Sequence, residues 1–312
     1  MSYDLYFYQE AGNRFDAASV RRYFAGQSGF QVEGTRSVGF QASYENKMTG
    51  VYCSFEYDEL TEDDSAPAST SGFFYTGLYF SINFNRPLFF AMESMPFVQS
   101  VAERFHLSVG DPQEDLRNTI VPVRPSSDAL VRSWEQHNTW AVKALHEDSN
   151  DESHYLYYPR EKALYWWHYT REKDALQDRI EDDVFVPQIS MIRKAGEIEV
   201  RSLVVWSDAL PQVFPAADYV LRNLMAQDKA GEWYSKKKEL LPWQWVQDEI
   251  RPLVQPCDGP VPNLVVVPSN RSSELRKIFN RLEGAAFKDY QFVGPDGFVD
   301  VHLPGKFTPR VQ

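Results

Sequence analysis

The sequence predicts an α+β protein of two domains, with antiparallel sheets and helices packed on one face of them. Period-two stretches are the first observation: in residues 48–57, Val51, Cys53, Phe55 and Tyr57 alternate with Tyr52, Ser54 and Glu56, the signature of a half-buried strand. Helical-period stretches with caps and stops stand between such strands, which is the second. The third is size: a chain of 312 residues, 43% hydrophobic, is long and apolar enough for two ordinary cores. The boundary is expected near residue 120, giving an N-terminal α+β domain over 1–120 and a C-terminal α+β domain over 121–312.

Residues 3–8 read as a short aromatic strand. Asp16 is a good N-cap for a helix over 17–25, whose apolar face is Val20, Tyr23 and Phe24 and whose stop is Gly26. Val32, Val38 and Phe40 sit in short extended segments. The strand at 48–57 and a second at 73–84 form a hairpin across an acidic, Ser-rich connection, 58–72. Residues 95–105 read as a helix with Pro96 in its first turn. The order β-α-β-β-β-α points to an antiparallel sheet carrying two helices on one face.

Residues 108–126 read as a linker or edge segment, because Pro112, Pro122 and Pro125 interrupt them. Ser126 or Ser127 caps a helix over 128–145, with Leu130, Trp134, His137, Ala141 and Leu145 recurring on one face. A polar loop covers 146–154, a short aromatic strand or turn 155–158, and a helix 160–180. Strands at 184–191 and 197–206 flank Lys194-Ala195-Gly196, a hairpin signal. Pro211 and Pro215 punctuate a turn before 218–225, which suits strand or helix. Residues 233–254 contain a helix with Pro242 at a kink or second start. A buried strand at 264–268, a helix at 272–282 and a hairpin over 290–301, turning at Pro295-Asp296-Gly297, complete the chain. No fixed-period repeat is present.

The formal net charge is −12 and the sequence pI near 5.0. Nucleic-acid binding needs a basic face to release counterions, so no nucleic-acid partner is expected. The one basic run, Lys236-Lys237-Lys238, reads as a solvated helix face. Cys53 and Cys257 fit neither a disulfide framework nor a zinc pattern, and suit a reducing compartment. The N-terminus MSYDLYFYQE lacks a basic region before an apolar core, so it is no signal peptide. Residues 65–85 are too interrupted to span a membrane. Cytoplasmic residence without a membrane partner is therefore expected; oligomeric state stays open.

No motif for chemistry emerges. The histidines His106, His137, His146, His154, His168 and His302 make no spaced zinc pair. His146, Glu147, Asp148, Asp151, Glu152 and His154 could gather round a cation, but EF-hand spacing is absent and a solvated acidic loop is the expectation. Nucleophile elbow, dinucleotide fingerprint and Walker pattern are all missing. Glu56 and Asp58, close to Cys53, would raise rather than lower its thiol pKa. Asp182-Asp183 and Asp63-Asp64 are adjacent carboxylates without evident acid–base partners. No catalytic residue, metal or cofactor is expected. An enzyme would instead need His and carboxylates converging in a pocket, for example around His137 or His168.

Recognition chemistry remains. From residue 48 to 85 there is no Lys or Arg, while Glu56, Asp58, Glu59, Glu62, Asp63 and Asp64 cluster. Such a loop on a rigid sheet could plug a basic cleft. The candidate partner-binding residues are Asp58, Glu59, Glu62, Asp63 and Asp64, with Glu147, Asp148, Asp151 and Glu152 as a second group. Trp166, Trp167, His168 and Tyr169 are consecutive and cannot share one helix stripe. Burial on several sides at a domain interface is the expectation, with exposed anchors as the other reading. Trp243 and Trp245 pose the same choice.

Residues 184–222, with Val186-Pro187, Val205-Trp206-Ser207-Asp208, Pro215 and Asp218-Tyr219-Val220, resemble uncharacterised bacterial proteins encoded beside polymorphic and contact-delivered toxins. The opening MSYDLYFY is similar to small cytosolic proteins of that kind. The resemblance covers about an eighth of the chain and transfers no site residues. It implies an immunity protein: a cytoplasmic inhibitor that occludes the active site of a cognate toxin, one with a basic cleft that an acidic binder would reach quickly. The alternatives are a hydrolase that reverses a toxin's modification, or an interaction module unconnected with toxins.

Overall fold

A computed structural model describes residues 2–35, 39–60, 72–113, 120–148 and 156–302, with backbone only at 35 and 145–148. The protein is α+β, as its sequence predicts. By internal contacts it divides into two units, Met1–Glu152 with Val299–Val301, and Ser153–Phe298 with His302–Gln312. The division falls after Glu152, beyond the residue 120 expected, because the helix of residues 127–148 packs on the first unit.

In the first unit, β1 (Ser2–Glu10) leads to α1 (Ala17–Ala25), then β2 (Phe30–Thr35), β3 (Gly39–Glu45), β4 (Tyr52–Asp58) and β5 (Phe73–Asn83). After them come α2 (Phe89–Arg104), β6 (Ser108–Gly110) and α3 (Ser127–Asp148). The strands form one sheet, ordered β2-β3-β4-β5-β1-β6, with every ladder antiparallel. Four strands, not three, lie between α1 and α2.

Asp16 caps α1 as expected, its side chain accepting from the Ala18 amide. The helix starts at Phe89 rather than residue 95, so Pro96 lies inside it. Proline there removes one backbone hydrogen bond. Burial of Phe89, Phe90, Met95, Val98 and Val101 offsets that loss.

Alternation sorts the sheet. Tyr3, Leu5, Phe7, Phe55 and Phe80 are fully buried on the face the helices cover. Phe24 of α1 lies 4.6 Å from Phe55, ring centroid to centroid, and Phe97 of α2 lies 4.7 Å from Tyr44. Glu93 of α2 pins the β3–β4 turn: its Oε1 accepts from Tyr44 Oη (2.9 Å), Asn46 Nδ2 (2.7 Å) and Thr49 Oγ1 (3.0 Å). Cys53 is buried beside it, and burial, with the Glu93 charge adding, pushes its thiol up to about 12.

The second unit opens with β7 (Leu156–Tyr157) and α4 (Arg160–Gln177). There follow β8 (Ile189–Lys194), β9 (Val200–Ser207), β10 (Val213–Phe214), β11 (Tyr219–Gln227), β12 (Trp233–Pro242), α5 (Trp243–Ile250), β13 (Gln255–Pro256) and β14 (Val265–Val266). The last elements are α6 (Ser272–Arg281), β15 (Ala285–Ala286) and β16 (Tyr290–Val293); β17 (Phe298–Val299) has Phe298 in this unit and Val299 in the first. Its main sheet runs β15-β12-β11-β9-β8-β16, and β10-β14-β13 make a small one. Residues 218–225, open between strand and helix, belong to strand β11.

One ladder of the main sheet departs from the antiparallel expectation: β9 and β11 are parallel, with Val204 opposite Val220. Parallel neighbours cannot be joined by a tight hairpin, and here the connection passes through β10. Asp218 locks the pair. Its Oδ2 accepts from Ser202 N (2.8 Å) and Ser202 Oγ (2.9 Å), while Oδ1 meets Lys162 Nζ at 2.5 Å.

Two further expectations are corrected. Lys236, Lys237 and Lys238 stand on strand β12, not on a helix; nine residues of β11 pair with that strand, and the helix begins only after Pro242. Strand β16 pairs with β8, so residues 290–301 are no hairpin, although Gly297 N does bond Gly294 O in the turn.

Helices α5 and α6 cover one face of the main sheet, burying Trp206, Phe214, Val246, Ile250 and Phe279. Trp166, Trp167 and Tyr169 are buried; Trp166 Nε1 donates to the Ile189 carbonyl and Tyr169 Oη to the Pro187 carbonyl. His168 is exposed. Trp243 is half-buried and Trp245 is exposed. Among the described residues no helix is long and apolar enough to cross a membrane.

Candidate protein-interaction face

All three helices of the first unit contact the sheet or one another on the face of Tyr3, Phe7 and Phe55. The opposite face carries Asp4, Tyr6, Gln41, Ser54, Glu56, Asp58, Tyr75 and Tyr79. No Lys or Arg occurs in any of its six strands; their carboxylates are Asp4, Glu10, Glu33, Glu45, Glu56 and Asp58.

Register builds the centre of this face. Gln41, Glu56, Tyr79 and Tyr6 stand side by side on β3, β4, β5 and β1. Between Tyr6 and Tyr8 the β1–β5 register slips, so that Tyr6 opposes Tyr79 and Tyr8 opposes Tyr75. A bulge of this kind re-aims side chains. Here Thr76 Oγ1 donates to the Phe7 carbonyl (2.8 Å), and Gly77 adopts φ +82°. A Cβ at Gly77 would come within 2.2 Å of the Asp58 carbonyl oxygen, so the strands close only around glycine.

The outcome is a tyrosine cluster. Tyr6 and Tyr75 meet edge-on at 5.4 Å, Tyr8 and Tyr75 at 5.7 Å, and Tyr6 and Tyr79 at 6.3 Å. Tyr8 is fully buried, beside Ile120 at the β6 edge; the other rings are half-buried. Burial, and then the Tyr6 charge, pushes the Tyr8 phenol up to about 12. Tyr75 and Tyr79 are raised too, first by burial; next come the neighbouring tyrosines for Tyr75 and the bond to Glu56 for Tyr79. These phenols stay neutral at physiological pH.

Glu56 lies at the edge of the rings. Its Oε2 accepts from Tyr79 Oη (2.6 Å); its Oε1 accepts from Ser54 Oγ (3.0 Å) and Gln41 Nε2 (3.4 Å). Among the described residues no Lys or Arg pairs with Glu56, Asp58 or Glu59.

Of the residues expected to bind a partner, Asp58 ends β4 on this face and Glu59 follows it, exposed. Glu62, Asp63 and Asp64 lie outside the described residues, as do Asp151 and Glu152. Glu147 and Asp148 form the end of α3, where only backbone is described. The structure therefore joins Asp58 to Glu56 and to a tyrosine cluster absent from the sequence-based site. Alternation had put Glu56 on the solvent side of its strand; the convergence of Tyr6, Tyr75 and Tyr79 required the register.

Of the two histidines an enzyme reading would use, His137 lies near a serine and an aspartate, and His168 is exposed. Ser133 Oγ donates to Asp111 Oδ2 (2.8 Å), as does Tyr3 Oη (2.5 Å). His137, nearby, turns Nδ1 to the Ser133 carbonyl (2.9 Å) and Nε2 to the Gln113 carbonyl (3.2 Å). Neither ring nitrogen addresses the hydroxyl, the contact that base activation of a nucleophile needs. Burial, then Arg171, lowers the His168 pKa. Among the described residues no group of His, Cys, Asp and Glu is placed to hold a metal ion. Comparison with protein-family models, curated proteins and solved structures finds no match.

Proposed function

We propose that this protein is a cytoplasmic immunity protein that binds a cognate bacterial toxin and occludes its active site, using the open face of the first unit's sheet. The observation that carries the reading is a rigid sheet face bearing half-buried tyrosines and carboxylates, with no Lys or Arg in its strands. Tyrosine gives large contact area for little conformational entropy, the economy that binding surfaces exploit. Carboxylates such as Glu56 and Asp58, which pair with no Lys or Arg among the described residues, would steer a basic cleft toward the face and speed association. The resemblance of residues 184–222 to toxin-adjacent proteins supports the same partner class.

The test is affinity capture of the tagged protein from its native bacterium, with mass spectrometry of what co-purifies. A stoichiometric partner carrying a C-terminal toxin domain is expected. Its absence from cells that express the neighbouring genes would defeat the reading. With the partner in hand, reversing the charges of Asp58 and Glu59 to Lys should slow association about tenfold and flatten its salt dependence. Unchanged kinetics would remove this edge of the sheet from the interface.

A further inference from the structure

The centre of the tyrosine face has a more specific chemistry than negative charge. Glu56 is held by Tyr79, Ser54 and Gln41, all neutral donors. An ionised carboxylate offers about four acceptor positions, so these fix its orientation without neutralising it. Asp58 stands two residues on, on the same side of β4 and about 7 Å along the strand. The strand neighbours of Asp58 are both glycines: Gly39 opposes it on β3, and Gly77 on β5 abuts its backbone. Beside Asp58 neither neighbouring strand thus carries a side chain, and this notch is bordered along β5 by Tyr75 and Tyr79, two residues to either side of Gly77. Both phenols feel the Asp58 charge.

A planar cation suits such a notch. A guanidinium can lay its face on an aromatic ring while its N–H fork reaches carboxylate oxygens; an ammonium is a compact, strongly hydrated point charge without that plane. We propose that the notch between Glu56 and Asp58, bordered by Tyr75 and Tyr79, is a subsite for an arginine side chain of a docked protein partner. The inference rests on the proposed function only in taking this face as the docking surface.

The test needs no toxin. Hexa-arginine and hexa-lysine serve as probes, titrated calorimetrically at moderate salt into the full chain, into Glu56→Gln and into Asp58→Asn. Asp182→Asn, at an exposed carboxylate of the second unit, is the control. Hexa-arginine is expected to bind about fivefold or more tighter than hexa-lysine. Glu56→Gln should weaken hexa-arginine about tenfold, through loss of a charge-assisted hydrogen bond. Asp58→Asn should weaken it less, and Asp182→Asn should stay within about twofold. Equal affinity for both probes, lost equally in Glu56→Gln, would show a charge field only and overturn the subsite. So would hexa-arginine binding untouched by Glu56→Gln and by Asp58→Asn, with circular dichroism showing both folded. A captured toxin together with no arginine preference would sink the subsite and leave the immunity reading standing. Arginine preference without a captured toxin would uphold the subsite and change only the class of partner.

Discussion

The six-stranded sheet of the first unit and that of the second treat charge in opposite ways. The first has no cation in its strands and spreads its carboxylates over a solvent face. The second carries Arg193, Lys194, Arg201, Arg222, Lys236, Lys237 and Lys238, with Glu239 the one carboxylate in its strands. It neutralises much of that charge internally: Arg201 pairs with Glu199, Lys194 with Glu197, and Arg222 and Lys237 both with Glu239. A net charge of −12 hides this division. Among the described residues, Glu10 alone of the first sheet's carboxylates pairs with a cation, Arg124, whereas the second sheet uses its charge to hold its own strands.

The comparison can be broken first where the second sheet buries charge. Arg222 and Glu239 oppose each other on β11 and β12, each nearly inaccessible, with the guanidinium 4.9 Å from the Phe279 ring centroid. Glu239→Ala leaves that guanidinium buried without its carboxylate and should cost about 3–5 kcal/mol in urea unfolding. The double variant Arg222→Met/Glu239→Leu should recover most of it. A single variant as stable as wild type would show that the pair holds nothing.

Acid sharpens the contrast. Burial alone would raise the Glu239 pKa, but the bond from Lys237 and the Arg222 charge outweigh it and hold the carboxyl below its ordinary value of 4.5. A depressed carboxylate contributes stability above its unfolded pKa, and that contribution is lost as pH falls through the folded one. Between about pH 6 and about pH 3 the wild type should therefore lose more stability than the double variant. Parallel losses, followed by urea midpoints, would remove Glu239 from the acid transition.

The smallest effect belongs to the first sheet. Tyr79→Phe deletes one half-exposed donor to Glu56 and should cost about 0.5–1.5 kcal/mol or less in thermal unfolding. A much larger loss would mean that the hydroxyl holds the sheet together rather than presenting a surface.

The sequence made the α+β class and most helices legible, because periodicity and caps are local. It placed Glu56 opposite Cys53 and Phe55 on β4 for the same reason. The tyrosine face was hidden, since Tyr6 reaches Tyr75 and Tyr79 only through a register slip that no local pattern records. The lysine run was misread because three like charges before a true helix, α5, look like its solvent side. Only pairing with β11 reveals a strand. The parallel β9–β11 ladder was invisible for a similar cause, being fixed by Asp218 reaching back to Ser202.

Those lysines also bear on the exposed edge of the second sheet. Strand β12 meets β15 only at Glu239 and Leu240, so among the described residues the outer backbone of its first half has no neighbour. An open edge flanked by Trp233 and Tyr234 is the sort of template on which a second chain can add a strand and seed aggregates. Consecutive lysines there, with an irregularity in the ladder between Leu224 and Met225, spoil the template by repulsion and by twist.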